Sequence, residues 1–258
     1  MLLINTRPEA RAQALSQTIR SLGVEVLDLP LLELIAVDYS PQLAALYQQL
    51  MLAQVIVVVS PSAAEIGLRY LAQSGLSVVQ LAHIQWIAVG KSTAQLLENH
   101  GIKAFVPEVE TSEGMLSLPI LKQLSVTHVA FWRGEGGRQF MMQQLQQQGI
   151  KILNFILYVR QCPQATQQQF QQKIPDLIAT EKKIYVCMSS EASWLNWQKL
   201  CHNSPDILMK CDYLALGERL YHLILNTVSP HGQYQVTQLT SLAPEKIYDY
   251  LLKQKGLA

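Results

Sequence analysis

Thr6-Arg7-Pro8-Glu9 follows an apolar stretch at the start of the chain, and Trp132-Arg133-Gly134-Glu135 ends another apolar stretch 126 residues later. A helical period follows each segment, and the two predicted helices stop at Gly23 and Gly149, which are again 126 residues apart. The two segments therefore predict that one strand-helix unit occurs twice in the chain.

Three further landmarks repeat in the same order. They pair Ser60 with Ser189, Ala88-Val89-Gly90 with Ala215-Leu216-Gly217, and Thr111-Ser112 with Thr240-Ser241, at separations of 129, 127 and 129 residues. Landmarks that keep both order and separation indicate an internal duplication. We expect two copies of one unit of about 125 residues, which is a usual size for a domain.

Short β-branched runs alternate with longer stretches of helical period along the whole chain. Parallel strands need a covering helix between them, so this alternation predicts an α/β fold with two similar domains, each a parallel sheet flanked by helices. The predicted strands are residues 2–5, 24–27, 55–59, 84–89, 128–132, 150–155, 184–188 and 213–216.

Composition limits the class of protein. The chain has 258 residues, 49% of them hydrophobic, and a net charge of +1. Such a charge argues against nucleic acid or acidic lipid as a partner, because neutralising several phosphates needs an excess of Lys and Arg. The strongest apolar stretch, residues 55–59, is too short to span a membrane.

Cysteine usage and the amino terminus bear on the compartment. The four cysteines form no Cys-x-x-Cys pair, and they are too few for a disulfide framework in a chain of this length. No signal-peptide pattern precedes the first strand. We expect a cytoplasmic protein and, without an exposed apolar repeat, a monomer.

Repeats alone leave the domain arrangement open, because the copies can be consecutive or can exchange their first strand-helix-strand. Two extended segments favour exchange, residues 29–37 and 155–161, each followed by a proline, Pro41 or Pro163. These segments are predicted to pair as a two-stranded β connector between the domains.

Polar and glycine residues follow most of the predicted strands. Because the carboxyl ends of parallel strands lie at one edge of a sheet, we expect these residues to line a cleft that binds a large polyanion through hydroxyls, helix N-termini and a few arginines. Ser60 and Ser189 also fit the simpler role of helix N-caps. The candidate positions are Arg7, Ser60, Gly90 to Thr93, Ser112, Arg133 to Arg138, Ser189, Gly217 and Ser241.

Other chemistries have no motif in this sequence. The six histidines, His231 among them, never approach metal-ligand spacing, so no metal site is expected. Gly90-Lys91-Ser92 lacks the earlier glycine of a phosphate-binding loop, since Gln85 stands there. No Gly-x-Ser-x-Gly elbow indicates a serine hydrolase.

Several short motifs together resemble the uroporphyrinogen-III synthase family, in an order and spacing that run over nearly the whole chain. They are Thr6-Arg7-Pro8, Ser60-Pro61, Ala88-Val89-Gly90-Lys91-Ser92-Thr93-Ala94, Ser112-Glu113-Gly114, Arg133-Gly134-Glu135-Gly136-Gly137-Arg138 and Tyr158-x-Arg160. The resemblance implies two α/β domains, one built from both chain ends and one from the middle. It places the first domain at residues 1–35 and 162–258, the second at 38–156, and the connector strands at 30–38 and 156–162.

The resemblance also implies an activity. Its substrate is hydroxymethylbilane, a linear tetrapyrrole with a carboxylate on every side chain, and its product is uroporphyrinogen III, closed with ring D inverted, in haem biosynthesis. The enzyme is a lyase that uses no cofactor or metal. In the mechanism proposed for the family, ring A loses its hydroxyl to give an azafulvene, ring D attacks, and a spiro intermediate fragments and recloses.

Residue roles are carried over position by position. Tyr158 matches the connector-strand tyrosine and is the candidate proton donor to the leaving hydroxyl, although a packed aromatic is the alternative. The expected substrate contacts are Arg7, Ser60, Thr93, Ser112, Arg133, Gly137, Arg138, Ser189, Gly217 and Ser241. The arginines have a second interpretation, as partners of Glu9 or Glu135.

One departure from the family pattern follows Gly217, where many members have Gly-x-Thr-Thr and this chain has Glu218-Arg219-Leu220. Hydroxyl contacts at this turn are therefore not carried over. A transient contact with the upstream deaminase stays open. The alternative function is a non-catalytic two-domain protein that closes on a small anion, as sensor domains do.

Overall fold

The computed structural model describes residues 1–227 and 234–254. Its strands are β1 Leu2–Asn5, β2 Glu25–Asp28, β3 Glu33–Ala36, β4 Val55–Val58, β5 Gln85–Ala88, β6 Ala104–Phe105, β7 His128–Gly134, β8 Lys151–Gln161, β9 Ile184–Met188, β10 Cys211–Leu216 and β11 Val236–Leu239. Its α-helices are α1 Glu9–Ser21, α2 Pro41–Gln49, α3 Pro61–Gln73, α4 Lys91–Glu98, α5 Ser112–Leu116, α6 Pro119–Gln123, α7 Phe140–Gln147, α8 Gln164–Ala179, α9 Glu191–Cys201, α10 Pro205–Lys210, α11 Gly217–Thr227 and α12 Pro244–Gln254.

The chain divides into two units, each with one sheet. Unit 1 consists of Met1–Glu33 and Arg160–Ala258, and unit 2 of Leu34–Val159. The strand order is β11-β10-β9-β1-β2 in unit 1 and β3-β8-β7-β4-β5-β6 in unit 2. When β1, β2, β9, β10 and β11 are matched to β7, β8, β4, β5 and β6, the two orders are the same apart from β3.

Each sheet contains strands from both copies of the repeat. In unit 1, β1 of the first copy pairs in parallel with β9 of the second, and in unit 2, β4 of the first pairs in parallel with β7 of the second. The neighbouring pairs from β2 to β11 and from β8 to β6 are parallel as well. The α/β fold with parallel sheets is therefore confirmed.

Both faces of each sheet are covered, which explains why its central strands are almost continuously apolar. In unit 2, Ile56 and Val58 pack with α2, α3 and α4, whereas the alternating Val55 and Val57 pack with α5 and α7. In unit 1, α1 and α12 cover one face and α8 to α11 cover the other. Among residues 1–227 and 234–254, no helix is both long and apolar enough to cross a membrane.

The segments predicted to form a connector contain β3 and the second half of β8, and these two strands are neighbours in the sheet order. The structure differs from the sequence expectation in that residues 150–155 do not form a strand separate from 156–162. Residues 151–155 belong to the single strand β8, which continues to Gln161. No proline interrupts β8, whereas Pro30, which lacks a backbone N–H, lies between β2 and β3.

Candidate active site

Tyr158 and Ser60 meet at the carboxyl edge of the sheet in unit 2. Ser60 follows β4 and caps α3, because its Oγ accepts the N–H of Ala63 at 3.0 Å. The hydroxyl of Tyr158 lies 3.0 Å from the same Oγ, and either oxygen can donate. Tyr158 is only 1% exposed, whereas Ser60 is half-buried. Ser60 is therefore the more accessible member of the pair.

Gly134 fixes the position of the Tyr158 ring. A Cβ at Gly134 would overlap that ring, so only glycine allows this close approach. The pairing of β7 with β8 shifts register between Arg133 and Gly134, and the N–H of Glu135 donates to the carbonyl of Tyr158 at 2.7 Å. The irregularity sets Tyr158 opposite Gly134, with its ring against the glycine.

The two arginines of the glycine loop have different environments. Arg133 is buried, and its guanidinium donates to the carbonyl of Gly136 inside the loop. Gly136 and Gly137 have φ angles of 70° and 74°, in the left-handed region that favours glycine. Arg138 is 61% exposed by its side chain. Arg133 thus supports the loop from within, and Arg138 presents its charge to solvent.

Arg138 forms a bidentate ion pair with Glu113 in the first turn of α5, with Nη1 to Oε2 at 3.0 Å and Nη2 to Oε1 at 2.5 Å. The pKa of the Glu113 carboxyl lies below its usual value, because the carboxylate accepts its own backbone N–H and the Arg138 guanidinium. Glu113 is therefore the partner that the fold supplies to Arg138. Arg7 likewise donates to the carbonyl of Leu242, at 3.3 Å, and not to Glu9.

A carboxylate of the chain lies at the N-terminus of α4. The backbone N–H of Lys91 donates to Oε1 of Glu110 at 2.9 Å, and the Glu110 carboxyl fills the space where a Cβ of Gly90 would stand. Thr93, in the first turn of the same helix, is fully buried, and its Oγ1 has no hydrogen-bond partner among the described residues. Buried hydroxyls are normally paired, so Thr93 is exceptional.

Ser112 and Ser189 lie one residue away from the helix caps. Thr111 caps α5, with its side chain accepting the N–H of Gly114 at 3.1 Å, and Ser112 is the first helical residue. Ser190 caps α9, with its Oγ accepting the N–H of Ser193 at 3.1 Å. The prediction that Ser189 is an N-cap is therefore wrong, because the extended backbone that a cap requires falls at Ser190.

Unit 1 brings Ser189 and Gly217 together at its own carboxyl edge. Both line a cavity of ≈ 240 Å³ between the starts of α9 and α11. Ser241 lies beyond β11, where its Oγ accepts the N–H of Ala243 at 3.1 Å. At the turn that departs from the family pattern, Arg219 pairs with Glu191 at 3.3 Å, and Glu218 lies 3.8 Å from His222.

Burial governs the state of the cysteine thiols. All four cysteines are free, and burial raises the pKa of the Cys162 thiol to about 11 and of the Cys187 thiol to about 12, so both stay protonated at neutral pH. Within the described ranges no group of three or more His, Cys, Asp or Glu side chains could hold a metal ion. His231 lies outside the described residues.

The family model described as Uroporphyrinogen-III synthase HemD matches residues 13–224 of this chain. The chain belongs to this family. A uroporphyrinogen-III synthase of Salmonella typhimurium is 25% identical over 236 residues, which cover 86% of this chain and 90% of that protein. One of Escherichia coli is 28% identical over 154 residues, covering 59% of this chain and 62% of the relative.

Solved structures show the same fold. A mutant uroporphyrinogen III synthase of Thermus thermophilus superposes with a TM-score of 0.65 at 14% identity and covers 99% of both chains. The Helicobacter pylori enzyme superposes with a TM-score of 0.55 at 12% identity and covers 98% of both chains. The fold class predicted from the sequence, with two domains, is therefore that of uroporphyrinogen-III synthases.

Sequence patterns missed several residues that the structure places at these edges. Glu110 and Glu113 contact the predicted donors Lys91 and Arg138; nothing in the sequence marks Glu110, and Glu113 stands in the motif Ser112-Glu113-Gly114 without an assigned partner. Gly134 was noted for its loop and not for the space it gives Tyr158. The sequence indicates that a hydroxyl caps α5 and α9 but does not indicate which one, because Thr111-Ser112 and Ser189-Ser190 each have two hydroxyl residues in succession.

Proposed function

We propose that this chain is a lyase that cyclises hydroxymethylbilane to uroporphyrinogen III, with inversion of ring D and release of water, in haem biosynthesis. The observation that carries the proposal is the match of residues 13–224 to the synthase family. The contact between Tyr158 and Ser60 supports a specific way to assist departure of the hydroxyl. The substrate supplies the reactive carbons, so the protein chiefly orients it and moves one proton.

The proton path follows from burial and hydrogen-bonding capacity. A serine oxygen can accept two hydrogen bonds while it donates one. With Ser60 Oγ accepting from the Ala63 N–H and from the Tyr158 hydroxyl, its own proton is available to the substrate. In this arrangement Ser60 protonates the leaving hydroxyl, which departs as water, and Tyr158 reprotonates Ser60. The proton that the pyrrole nitrogen then releases restores the phenol.

Carboxylate binding is assigned to backbone donors and a few cations. Helix N-termini carry partial positive charge and exposed N–H groups, which suits anions without a large net charge on the protein. In unit 2 the proposed carboxylate contacts are Thr93, Ser112, Gly137 and Arg138, with Arg133 bracing the loop, while Ser60 contacts the leaving hydroxyl of the substrate. In unit 1 they are Arg7, Ser189, Gly217 and Ser241.

The setting of the reaction is part of the proposal. Four free cysteines suit a reducing compartment, and we assign the protein to the cytoplasm as a monomer. We also propose that it receives hydroxymethylbilane through transient contact with the deaminase that produces it. Light scattering coupled to size exclusion should give the mass of a single 29.0 kDa chain.

The activity is tested by separating product isomers. Hydroxymethylbilane is generated in place with its upstream deaminase, the products are oxidised, and uroporphyrin isomers I and III are resolved by chromatography. We expect isomer III to dominate in proportion to the amount of this protein. Formation of isomer I alone, at the rate seen without the protein, would contradict the proposed function.

Thr93→Val should separate stability from binding. Valine has the shape of threonine without the hydroxyl, and the Thr93 Oγ1 has no partner among the described residues. Removing an unpaired buried hydroxyl should leave the free energy of unfolding unchanged or raise it by about 1 kcal/mol. If the hydroxyl binds a substrate carboxylate, KM should rise about threefold or more. Denaturant titration and steady-state kinetics measure the two effects, and lower stability with an unchanged KM would assign Thr93 a structural role.

A further inference from the structure

Two glutamate side chains of this chain are bound by hydrogen-bond donors that are suited to bind the carboxylates of a ligand. Glu110 accepts from the Lys91 N–H at the start of α4, and Glu113 pairs in a bidentate manner with Arg138. Both glutamates lie on one short stretch that runs from the end of β6 into the first turn of α5, residues 106–113, which we call the acidic segment. Its sequence, Val106-Pro107-Glu108-Val109-Glu110-Thr111-Ser112-Glu113, contains three glutamates.

The start of α4 is built to receive a carboxylate. Gly90 has an extended backbone, with φ −161° and ψ 175°, which any residue can adopt. The backbone therefore does not require glycine here, and what distinguishes Gly90 is that it has no side chain. The Glu110 carboxyl fills that space. Gly90 provides no side chain to cap the helix, so the acceptor for the Lys91 N–H comes from elsewhere in the chain.

The hydroxyl of Thr93, unpaired within the described part of the chain, is independent evidence that a ligand group binds at the N-terminus of α4. Cα–Cβ bonds of a helix tilt toward its N-terminus, so a side chain in the first turn is directed to the end of α4 where Glu110 lies. The Thr93 hydroxyl is buried, and among the described residues nothing satisfies it. With Glu110 in place, a ligand carboxylate cannot use the same N–H group.

We propose that the acidic segment is an internal competitor for the substrate, whose carboxylates displace those of Glu110 and Glu113 from the Lys91 N–H and from Arg138. The inference rests on the proposed function and deepens it. It makes Glu110 and Glu113 positioning residues that set affinity, because the free protein must first release them. Thr93 becomes accessible to a substrate carboxylate when Glu110 leaves.

The physical consequence is a lower apparent affinity. A ligand that binds only the displaced state has an apparent Kd equal to its intrinsic Kd divided by the fraction of molecules in that state. Neutralising Glu110 weakens the hold of the segment on α4, since the interaction of a charge with a helix N-terminus is lost. The displaced fraction then rises, and the substrate binds more tightly without any new contact.

The test is Glu110→Gln, which keeps the shape of the side chain and removes its charge. We expect KM for hydroxymethylbilane to fall by about fivefold with kcat unchanged. Fluorescence titration with uroporphyrin III, a stable tetrapyrrole polycarboxylate, should show a similar decrease in Kd. Glu113→Gln should act in the same direction, and it keeps the proposal testable if one variant folds poorly.

Glu108→Gln is the matched control. It makes the same change of charge two residues away, and the exposed Glu108 carboxylate has no hydrogen bond or ion pair among the described residues. Its KM and Kd should match those of the unaltered protein. An equal decrease of KM and Kd for Glu108→Gln would overturn the proposal, because long-range electrostatics would then explain the effect. Unchanged or higher KM and Kd for Glu110→Gln and Glu113→Gln would overturn it as well.

Gly90→Ala, at the same N-terminus of α4, should change KM in the direction opposite to Glu110→Gln. Its methyl group would expel the end of the flexible Glu110 side chain and also block an incoming carboxylate. KM should therefore rise for Gly90→Ala while it falls for Glu110→Gln, a split that a purely structural cap would not produce. The uroporphyrin titration needs no turnover, so failure of the segment to compete is distinguishable from failure of the enzyme to form isomer III.

Discussion

Tyr158→Phe is expected to lower kcat for isomer III by about 100-fold while the protein remains folded, because general acid catalysis contributes roughly 10²–10⁴-fold. The substitution removes only the hydroxyl that lies 3.0 Å from Ser60 Oγ. The ring and its packing against Gly134 are retained. Ring closure has an unassisted background, so activity should be reduced and not abolished. A stopped assay of isomer III at saturating substrate measures the effect.

Ser60→Ala should lower kcat to a similar extent, and the double variant should be little worse than either single one. Two groups that pass one proton act as a unit, so their effects are strongly non-additive. Ser60→Ala also removes the cap of α3, which should cost about 1 kcal/mol of stability. A double-mutant cycle on kcat therefore reports the coupling between the two hydroxyls.

Two controls separate chemistry from structure. Ser40-Pro41 begins α2 as Ser60-Pro61 begins α3, so Ser40→Ala removes a comparable cap, with its 3.2 Å bond to the Leu43 N–H. Tyr47→Phe removes another buried phenol, which donates to the carbonyl of Gly67 at 2.9 Å. Both should lose stability and keep kcat. An unchanged kcat in Tyr158→Phe would leave Tyr158 as a packed aromatic only.

Gly67→Ala is expected to cause the largest loss of stability, by about 3 kcal/mol. In an ordinary helix this change is favourable by about 1 kcal/mol, since glycine is a poor helix former. Here the added methyl group would overlap the indole of Trp132, which is fully buried. Trp132 in turn meets Trp86 edge to face, with ring centroids 5.2 Å apart, so it has little room to move. Overpacking should therefore exceed the helix-propensity gain.

Denaturant unfolding followed by circular dichroism measures this loss. Gly75→Ala is the control, because Gly75 has φ 80° and open space around it, so alanine there adds backbone strain without overlap. In a Trp132→Leu background the cost of Gly67→Ala should shrink, because the smaller side chain leaves room for the methyl group. If Gly67→Ala were neutral, the core of unit 2 would be looser than its packing indicates.

The duplication could be predicted from the sequence because its landmarks are backbone requirements. Arg7 follows β1 and Arg133 lies at the end of the equivalent strand β7, and Gly23 and Gly149 both end helices, with φ angles of 75° and 80°. Such positions tolerate few residues, so they remain recognisable after the rest has diverged. β6 and β11 were missed, because they are short strands at sheet edges and have no strong apolar alternation.

The candidate residues divide in the same way. Ser60 was predictable, since a hydroxyl before Pro61 at a strand end is a local signal for a cap. Its contact with Tyr158 was not, because 98 residues separate them and only the pairing of β4, β7 and β8 brings them together. The substrate roles of these residues stay predictions until the variants are measured.

The sequence by itself determined the α/β class, the two copies and the polar residues at the strand ends, because these depend on local periodicity and on the conformational limits of glycine and proline. Only the tertiary structure decided that β1 pairs with β9 and β4 with β7. It also decided that Glu110 and Glu113 bind the Lys91 N–H and the Arg138 guanidinium, which the sequence predicts as donors to substrate carboxylates. Arg133 is buried and Arg138 is exposed for the same reason. Those outcomes depend on which distant segments pack together, and spacing along the chain contains no information about such contacts.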